Sequence, residues 1–351
     1  MDPRHRVVIR TDASPRIGLG HLRRCTALGQ RLAAAGAGVH FLVRSEGLDP
    51  AMEVGGFAES CVPLDPALQG RDDAAGTAAY CRSIGADRLI VDHYRADEDY
   101  QRVLLDAGMR WLQFDGAAGM PLWADWIVSM SPAADEARYR AQQRRPETRL
   151  LLGPRYAILR DEFLAWRAAR TVRPQAARLL LTFGGGDDRG ACLACLEALR
   201  KTDLFEVVIL SGRHNPQAPL IRAWLERNAG FRAQLLLDDA QIARRMAEAD
   251  IAITAGGGTT FETAMLGLPA LIVQIADNQR PNAQAWDRAG VAVDLGPLQR
   301  LDAGRLNDKL VALAGDPALR ERMAGLGREC VDGRGTERIV RELYPDVEVP
   351  S

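Results

Sequence analysis

The sequence predicts an α/β protein with two doubly wound, Rossmann-like domains facing a cleft. Three observations predict it. Short apolar runs alternate with helix-spaced segments through both halves, the pattern of parallel strands covered on both faces. A glycine-rich turn follows a strand in each half. At about 150 residues per domain, a chain of 351 residues holds two cores.

In the first half, strands are predicted at 7–10, 39–43, 88–91, 111–114 and 126–128, with helices at 21–35 and 98–107. The polar stretch 133–148, with Arg144, Arg145 and Pro146, reads as a break before order resumes at Leu150. The second half repeats the plan. Strands fall at 178–183, 207–210, 233–237, 251–254 and 270–273. Helices fall at 161–170, 189–199, 217–227, 240–249, 302–313 and 317–330. The expected domains are 1–155 and 156–332, with a last helix in 333–351 free to pack back on the first domain.

The turn Ala255-Gly256-Gly257-Gly258-Thr259-Thr260-Phe261-Glu262 carries the strongest chemistry. A strand precedes it and a helix closed by Gly267 follows. Glycines let backbone approach a ligand closely, and the free N–H groups and dipole of a helix start favour an anion. Gly257, Gly258, Thr259 and Thr260 are the expected cradle, and Glu262 is placed to accept from ribose hydroxyls. A second glycine loop, Gly184-Gly185-Gly186, follows another strand. Ligands of such sheets sit beyond the C-terminal strand ends, so with the domains facing each other all these loops would line one cleft.

The first loop, from Asp12 to His21, includes Gly18 and Gly20 but has Arg23 where a dinucleotide fingerprint needs a third glycine. Arg44, not an acid, follows the second strand, so no nicotinamide cofactor is expected. His21 starts a helix, where the dipole disfavours imidazolium, and a neutral ring can take a proton from water. From position alone it also reads as a helix-start residue bonded to backbone. Arg10 and Asp12 flank the loop and could orient it or bind sugar hydroxyls. Arg23 and Arg24 read as solvated charges or phosphate partners. Tyr94 follows Asp92-His93 at a strand end and could bond a substrate amide or hydroxyl. Asn278 and Gln279, after the 270–273 strand, suit reading of hydroxyls, or cap the helix starting at Pro281. His5, His40 and His214 read as structural.

The formal charge is -1, with Lys+Arg 45 against Asp+Glu 46, which argues against a nucleic-acid groove. No apolar run reaches the roughly 18 residues of a membrane span, and no signal peptide is visible, so a cytoplasmic protein is expected. The six cysteines do not read as a disulfide framework. Cys192 and Cys195 lie on a small-residue helix face without further ligands, and no metal site is expected.

Taken in order, Arg10-Thr11-Asp12, Gly18 to Arg24, Val91-Asp92-His93-Tyr94, Leu152 to Arg160, Thr182 to Asp187, the glycine turn through Glu262 and Ala276-Asp277-Asn278-Gln279 resemble one family. It is the UDP-2,4-diacetamido-2,4,6-trideoxy-β-L-altropyranose hydrolase family of pseudaminic acid biosynthesis. The resemblance covers residues 7 to 290. More distantly the chain is similar to the UDP-N-acetylglucosamine transferase of peptidoglycan synthesis, which has the glycosyltransferase-B fold. The resemblance implies that water displaces UDP from the anomeric carbon with inversion, without metal; no cofactor and a monomer or weak oligomer are expected. It puts His21 on the catalytic histidine. Tyr94 and Asn278 fall on substrate-contacting positions, and Arg10, Asp12, Gly20, Arg24 and Gln279 are further expected substrate-binding residues. Gly257, Gly258, Thr259 and Glu262 fall on the UDP site, with Gly185 and Gly186 facing the pyrophosphate, and Thr260 is a further expected UDP-binding residue. Gly258 stands where the family often has serine, and Pro15-Arg16 where small polar residues are frequent. A transferase, a 2-epimerase and a non-catalytic nucleotide-sugar binding protein are the competing readings.

Overall fold

The first strand is buried on both faces, and the two faces differ in chemistry. A computed structural model of the protein, which describes residues 5–14, 18–47 and 49–347, shows why. Successive side chains of a strand point to opposite faces. In β1 (Arg6–Ala13), Val7 and Ile9 join the core beneath helix α1 (Gly20–Ala34), while Val8 joins the core on the other face. Arg10 has the parity of Val8. It meets Asp73, which lies on the buried side of a helix covering that face.

The chain divides into two compact units, Met1–Leu159 with Arg334–Ser351, and Arg160–Gly333. After β1 and α1, unit 1 continues with β2 (Gly38–Ser45), α2 (Pro50–Val54), β3 (Ser60–Pro63), α3 (Gly70–Ile84), β4 (Arg88–Asp92), α4 (Glu98–Asp106), β5 (Trp111–Phe114), β6 (Trp126–Ser129), α5 (Glu136–Gln142) and β7 (Arg149–Leu152). All pairings are parallel, in the order β3-β2-β1-β4-β5-β6-β7. The order reverses between β1 and β4, where Thr11 stands beside Asp92.

Unit 2 runs α6 (Glu162–Ala169), β8 (Arg178–Thr182), α7 (Ala191–Leu199), β9 (Glu206–Ser211), α8 (Ala218–Arg227), β10 (Ala233–Leu237), α9 (Ile242–Glu248), β11 (Ile251–Ala255), α10 (Thr259–Leu266), β12 (Ala270–Gln274), α11 (Arg280–Arg288), β13 (Ala292–Pro297), α12 (Ala303–Gly315) and α13 (Pro317–Cys330). Its sheet is also parallel, β10-β9-β8-β11-β12-β13, and reverses between β8 and β11. The last helix, α14 (Gly335–Leu343), belongs to unit 1, where Ile339, Val340 and Leu343 complete the apolar layer under α1.

Two expectations need correction. The polar stretch 133–148 is no break, because it contains α5 and leads into β7, which pairs with β6 inside unit 1. The 15-residue helix α3 has no counterpart in the sequence reading. Its buried positions are Asp73, Ala74, Thr77, Ala78 and Cys81, so an aspartate and a threonine interrupt the apolar stripe that marks a helix. The aspartate faces inward because it meets arginines from the sheet. Arg10 Nε and Nη2 donate to its two carboxylate oxygens at 3.0 and 2.6 Å, and Arg44 Nη2 adds a bond at 3.0 Å.

Burial works to raise the Asp73 carboxyl, but the hydrogen bonds and charge of Arg10 outweigh it and hold its pKa below the usual value. Removing one partner of a buried ion pair leaves an uncompensated charge. Asp73→Ala is therefore expected to cost unit 1 about 3–5 kcal/mol in denaturant unfolding. Because the folded pKa lies below the unfolded value of about 3.9, Asp73 supports the fold at neutral pH and loses that contribution as pH falls through the folded value. A wild-type acid transition that is unchanged in the variant contradicts this assignment.

Candidate active site

The same alternation sorts the residues at the end of β4. Ile90 lies in the core under α1, and Asp92 shares its parity; Val91 lies in the opposite core, and His93 shares that one. Asp92 therefore ends beneath the start of α1, at the point where the strand order reverses. His21, in the first turn of α1, places Nδ1 2.6 Å from Asp92 Oδ1. Arg24, one turn further, donates Nε to Asp92 Oδ2 at 2.5 Å and Nη2 to Oδ1. The Cys25 thiol donates to Oδ2 at 3.3 Å. Arg24 also lies over the Phe114 ring, 4.9 Å from its centroid.

Asp92 is 1% exposed. Burial alone would raise its pKa, but Arg24, then His21, outweigh that and hold it well below the usual carboxylate range. A carboxylate cannot donate, so the short contact to Nδ1 requires the ring to carry its proton there. In the neutral ring this leaves Nε2 with the lone pair. Among the described residues Nε2 has no hydrogen-bond partner. Arg24 Nη2, 3.1 Å from Nδ1, is a second donor converging on Oδ1 and not a bond to the ring. Tyr94 meets the ring edge-on at 4.6 Å between centroids and is 69% exposed. The structure thus brings His21, Arg24 and Tyr94 together around Asp92. The sequence reading had no role for Asp92; an acid closing the strand beside β1 was the available signal. Gly20 is exposed at the start of α1, and Pro15-Arg16 lie outside the described residues.

Arg10 and Asp12, expected as sugar contacts, fall elsewhere. Arg10 is fully buried, and besides Asp73 it donates Nη1 to Asp12 Oδ1 at 2.5 Å and to the Thr11 carbonyl at 2.6 Å. Asp12 also accepts from Arg95 Nη2 at 3.1 Å. Both are committed to a buried ion network on the α3 face, away from solvent. His93 sits beside them with both ring nitrogens buried and unpartnered. Burial, then Arg10, push its pKa down to about 3, so it stays neutral.

In unit 2 the triple-glycine turn joins β11 to α10 at the reversal point of that sheet. Gly256 N–H and Ile275 N–H both donate to Gln279 Oε1, at 3.2 and 3.0 Å. Gln279 thus ties the loops after β11 and β12 together. The N–H groups of Gly257, Gly258 and Thr259 have no acceptor among the described residues. Thr260 does not join them. Its hydroxyl donates to the Gly257 carbonyl at 2.7 Å and accepts from Trp286 Nε1 at 3.0 Å, and the residue is buried. It holds the turn and offers no donor to a ligand. Glu262 is half-buried, with Arg160 Nη2 3.9 Å from Oε1. Asn278 is exposed in a single 3-10 turn, Asp277–Gln279. Gly185 and Gly186 lie in the loop after β8, Gly185 exposed and Gly186 half-buried.

Among the described residues no group of three His, Cys, Asp or Glu side chains could hold a metal ion. No helix among them is long and apolar enough to cross a membrane.

Two reversed parallel sheets, each with open loops at its reversal point, match known architectures. The chain aligns with the crystal structure of MurG from Acinetobacter baumannii at a TM-score of 0.67 and 17% identity, covering 97% of this chain and 99% of that one. The chain has the glycosyltransferase-B fold. Residues 190–326 match the glycosyltransferase family 28 C-terminal domain. The chain is 28% identical over 203 residues to the spore coat polysaccharide biosynthesis protein SpsG of Bacillus subtilis, covering 56% of this chain and 59% of that protein. It is 22% identical over 301 residues to the UDP-2,4-diacetamido-2,4,6-trideoxy-beta-L-altropyranose hydrolase of Campylobacter jejuni, covering 82% of this chain and 98% of that one. The chain spans between 52% and 59% of the length of the first three curated relatives it matches.

The geometry around Asp92 fixes a tautomer. In its neutral form the His21 ring is expected to carry its proton on Nδ1, which nitrogen-15 NMR of the imidazole reads directly. A neutral ring protonated on Nε2 contradicts the arrangement.

Proposed function

We propose that the protein hydrolyses a UDP-linked 2,4-diacetamido-2,4,6-trideoxy sugar to free sugar and UDP. Water attacks the anomeric carbon with inversion, in nonulosonic (pseudaminic) acid biosynthesis. The observation that carries the reading is His21: its Nδ1 is engaged by a buried carboxylate, and Nε2 is left unpartnered. Such a ring is a general base whose free nitrogen can take a proton from water. As the water oxygen bonds to the anomeric carbon, the bond to the diphosphate breaks and its electron pair leaves on the β-phosphate oxygen. The proton from water goes to Nε2.

The leaving group needs little help from an acid, because a nucleoside diphosphate leaves readily. Its growing charge is matched by unpaired backbone donors. In unit 2 the N–H groups of Gly257, Gly258 and Thr259 stand at the start of an eight-residue helix, at its positive dipole end. Glu262 is proposed to accept from the ribose hydroxyls, and Gly185 and Gly186 to approach the diphosphate. Tyr94 and Asn278, both exposed, are proposed to contact the sugar. Arg24 and Gln279 act through the groups they hold: Arg24 on Asp92, and Gln279 on the glycine turn. The similarity to the Campylobacter hydrolase over nearly its whole length supports the choice of substrate.

A second reading is favoured by the family 28 match over 190–326: a transferase passing a sugar from a UDP donor to an acceptor. Acceptor dependence separates the two. The hydrolase reading expects free sugar and UDP from the UDP-linked sugar in buffer with a chelator present, detected by mass spectrometry. Turnover only after an acceptor is added contradicts it. His21→Ala is expected to lower turnover by ~10²–10⁴-fold while the UDP dissociation constant, measured by calorimetry, stays unchanged. Loss of UDP binding in that variant contradicts the division of labour between the units.

A further inference from the structure

The diphosphate loop after β8 is held from beneath by a device on the neighbouring strand β9. Asp188 and Asn215 are each 2% exposed. Asp188 Oδ1 accepts from Gly190 N–H at 2.8 Å, and Oδ2 accepts from Asn215 Nδ2 at 2.9 Å. The same Asn215 amide donates to Ser211 Oγ at 2.9 Å, and Asn215 Oδ1 accepts from Gln217 N–H at 3.0 Å. Every polar atom of the pair is thus engaged, and the bonds join the loop after β8 to the loop after β9. Between the two bonded positions, Asp188 and Gly190, only Arg189 is a non-glycine residue held at positive φ. Arg189 has φ 54° and Gly190 φ 83°, the left-handed region that a non-glycine residue adopts only when its surroundings enforce it.

Gly212 completes the device by close approach. A Cβ on this residue would overlap the carbonyl oxygen of Gly185 and lie 2.8 Å from its carbonyl carbon. Backbone cannot yield as a side-chain tip can, so any side chain at 212 must displace Gly185. Such an approach is a use of glycine that does not depend on φ.

We infer that Gly212, Asp188 and Asn215 are positioning residues that set the height and conformation of the Gly184–Gly186 loop for the diphosphate of the substrate. The inference rests on the reading of unit 2 as the UDP-binding unit. None of the three needs to touch the ligand. On the proposal that Gly185 and Gly186 approach the diphosphate, the effect of all three falls on that part of the nucleotide and not on the nucleoside.

The polarity of the Asp188–Asn215 contact makes it testable by exchange. Asp188→Asn alone turns an amide toward the Asn215 amide, donor against donor. Asn215→Asp alone sets two carboxylates against each other. Together they restore one donor and one acceptor, with Gly190 N–H, Gln217 N–H and the Ser211 hydroxyl still satisfied. The test titrates the wild type, Gly212→Ala, the two single exchanges and the double exchange with UDP and with uridine. Calorimetry and fold-sensitive circular dichroism are run in parallel. Each single variant is expected to bind UDP about tenfold or more weakly, the size of one lost buried hydrogen bond, with uridine affinity unchanged. The double exchange is expected to recover UDP affinity. Should Gly212→Ala not fold, the isosteric exchanges still decide. Single variants that bind UDP like the wild type, that lose UDP and uridine alike, or that the double exchange fails to rescue overturn the inference. A wild-type chain that binds no UDP overturns the parent reading as well.

Discussion

One buried carboxylate organises the candidate site of unit 1. Asp92 closes β4 next to the strand where the sheet order reverses, and strand alternation turns it toward α1. There it takes His21 Nδ1, the Arg24 guanidinium and the Cys25 thiol on two oxygens. An anion with one bond only would be costly at this depth. The convergence of donors makes the charge tolerable and fixes the ring orientation. Shifting β4 by one residue would put His93 under α1 and Asp92 in the ion network of Arg10, Asp12 and Asp73. The register with β1 is therefore as much a part of the site as the side chains are.

The two units use one topology for different chemistry. Unit 1 places ionisable side chains at its reversal point, where a carboxylate can hold an imidazole. Unit 2 places bare backbone at the equivalent point, and the side chains around it mostly hold that backbone in shape. Thr260 and Trp286 brace the triple-glycine turn, Gln279 joins it to the loop after β12, and Asp188 with Asn215 braces the loop after β8. On the proposed reading, amide groups suit a diphosphate because they offer many donors without adding charge. An imidazole suits water because it can accept a proton at neutral pH.

Much of this was legible in the sequence. Apolar runs and glycine turns located most strands of both sheets. The placement of His21, Tyr94 and the triple glycine needed only their position after strands. Where the reading failed, tertiary pairing of charges was the cause. Arg10 and Asp12 look like loop-edge ligands in one dimension, but only α3 shows that Asp73 draws Arg10 inward. The same aspartate spoils the apolar stripe by which α3 would have been recognised. Thr260 reads as a phosphate donor until the Gly257 carbonyl takes its hydroxyl proton, while Trp286, 26 residues away, donates to the same oxygen. Asp92 stood in plain view, but its role depends on which face of β4 meets α1, and parity alone does not say which helix covers which face.

The dependence of His21 on Asp92 is tested most directly by a double-mutant cycle on turnover with His21→Ala, Asp92→Asn and the pair combined. If Asp92 acts by holding the ring with Nε2 free, Asp92→Asn slows the wild type strongly but does not slow the His21→Ala variant further. Rate losses that multiply in the double variant would mean that the two residues act independently, and the account of the site would be wrong.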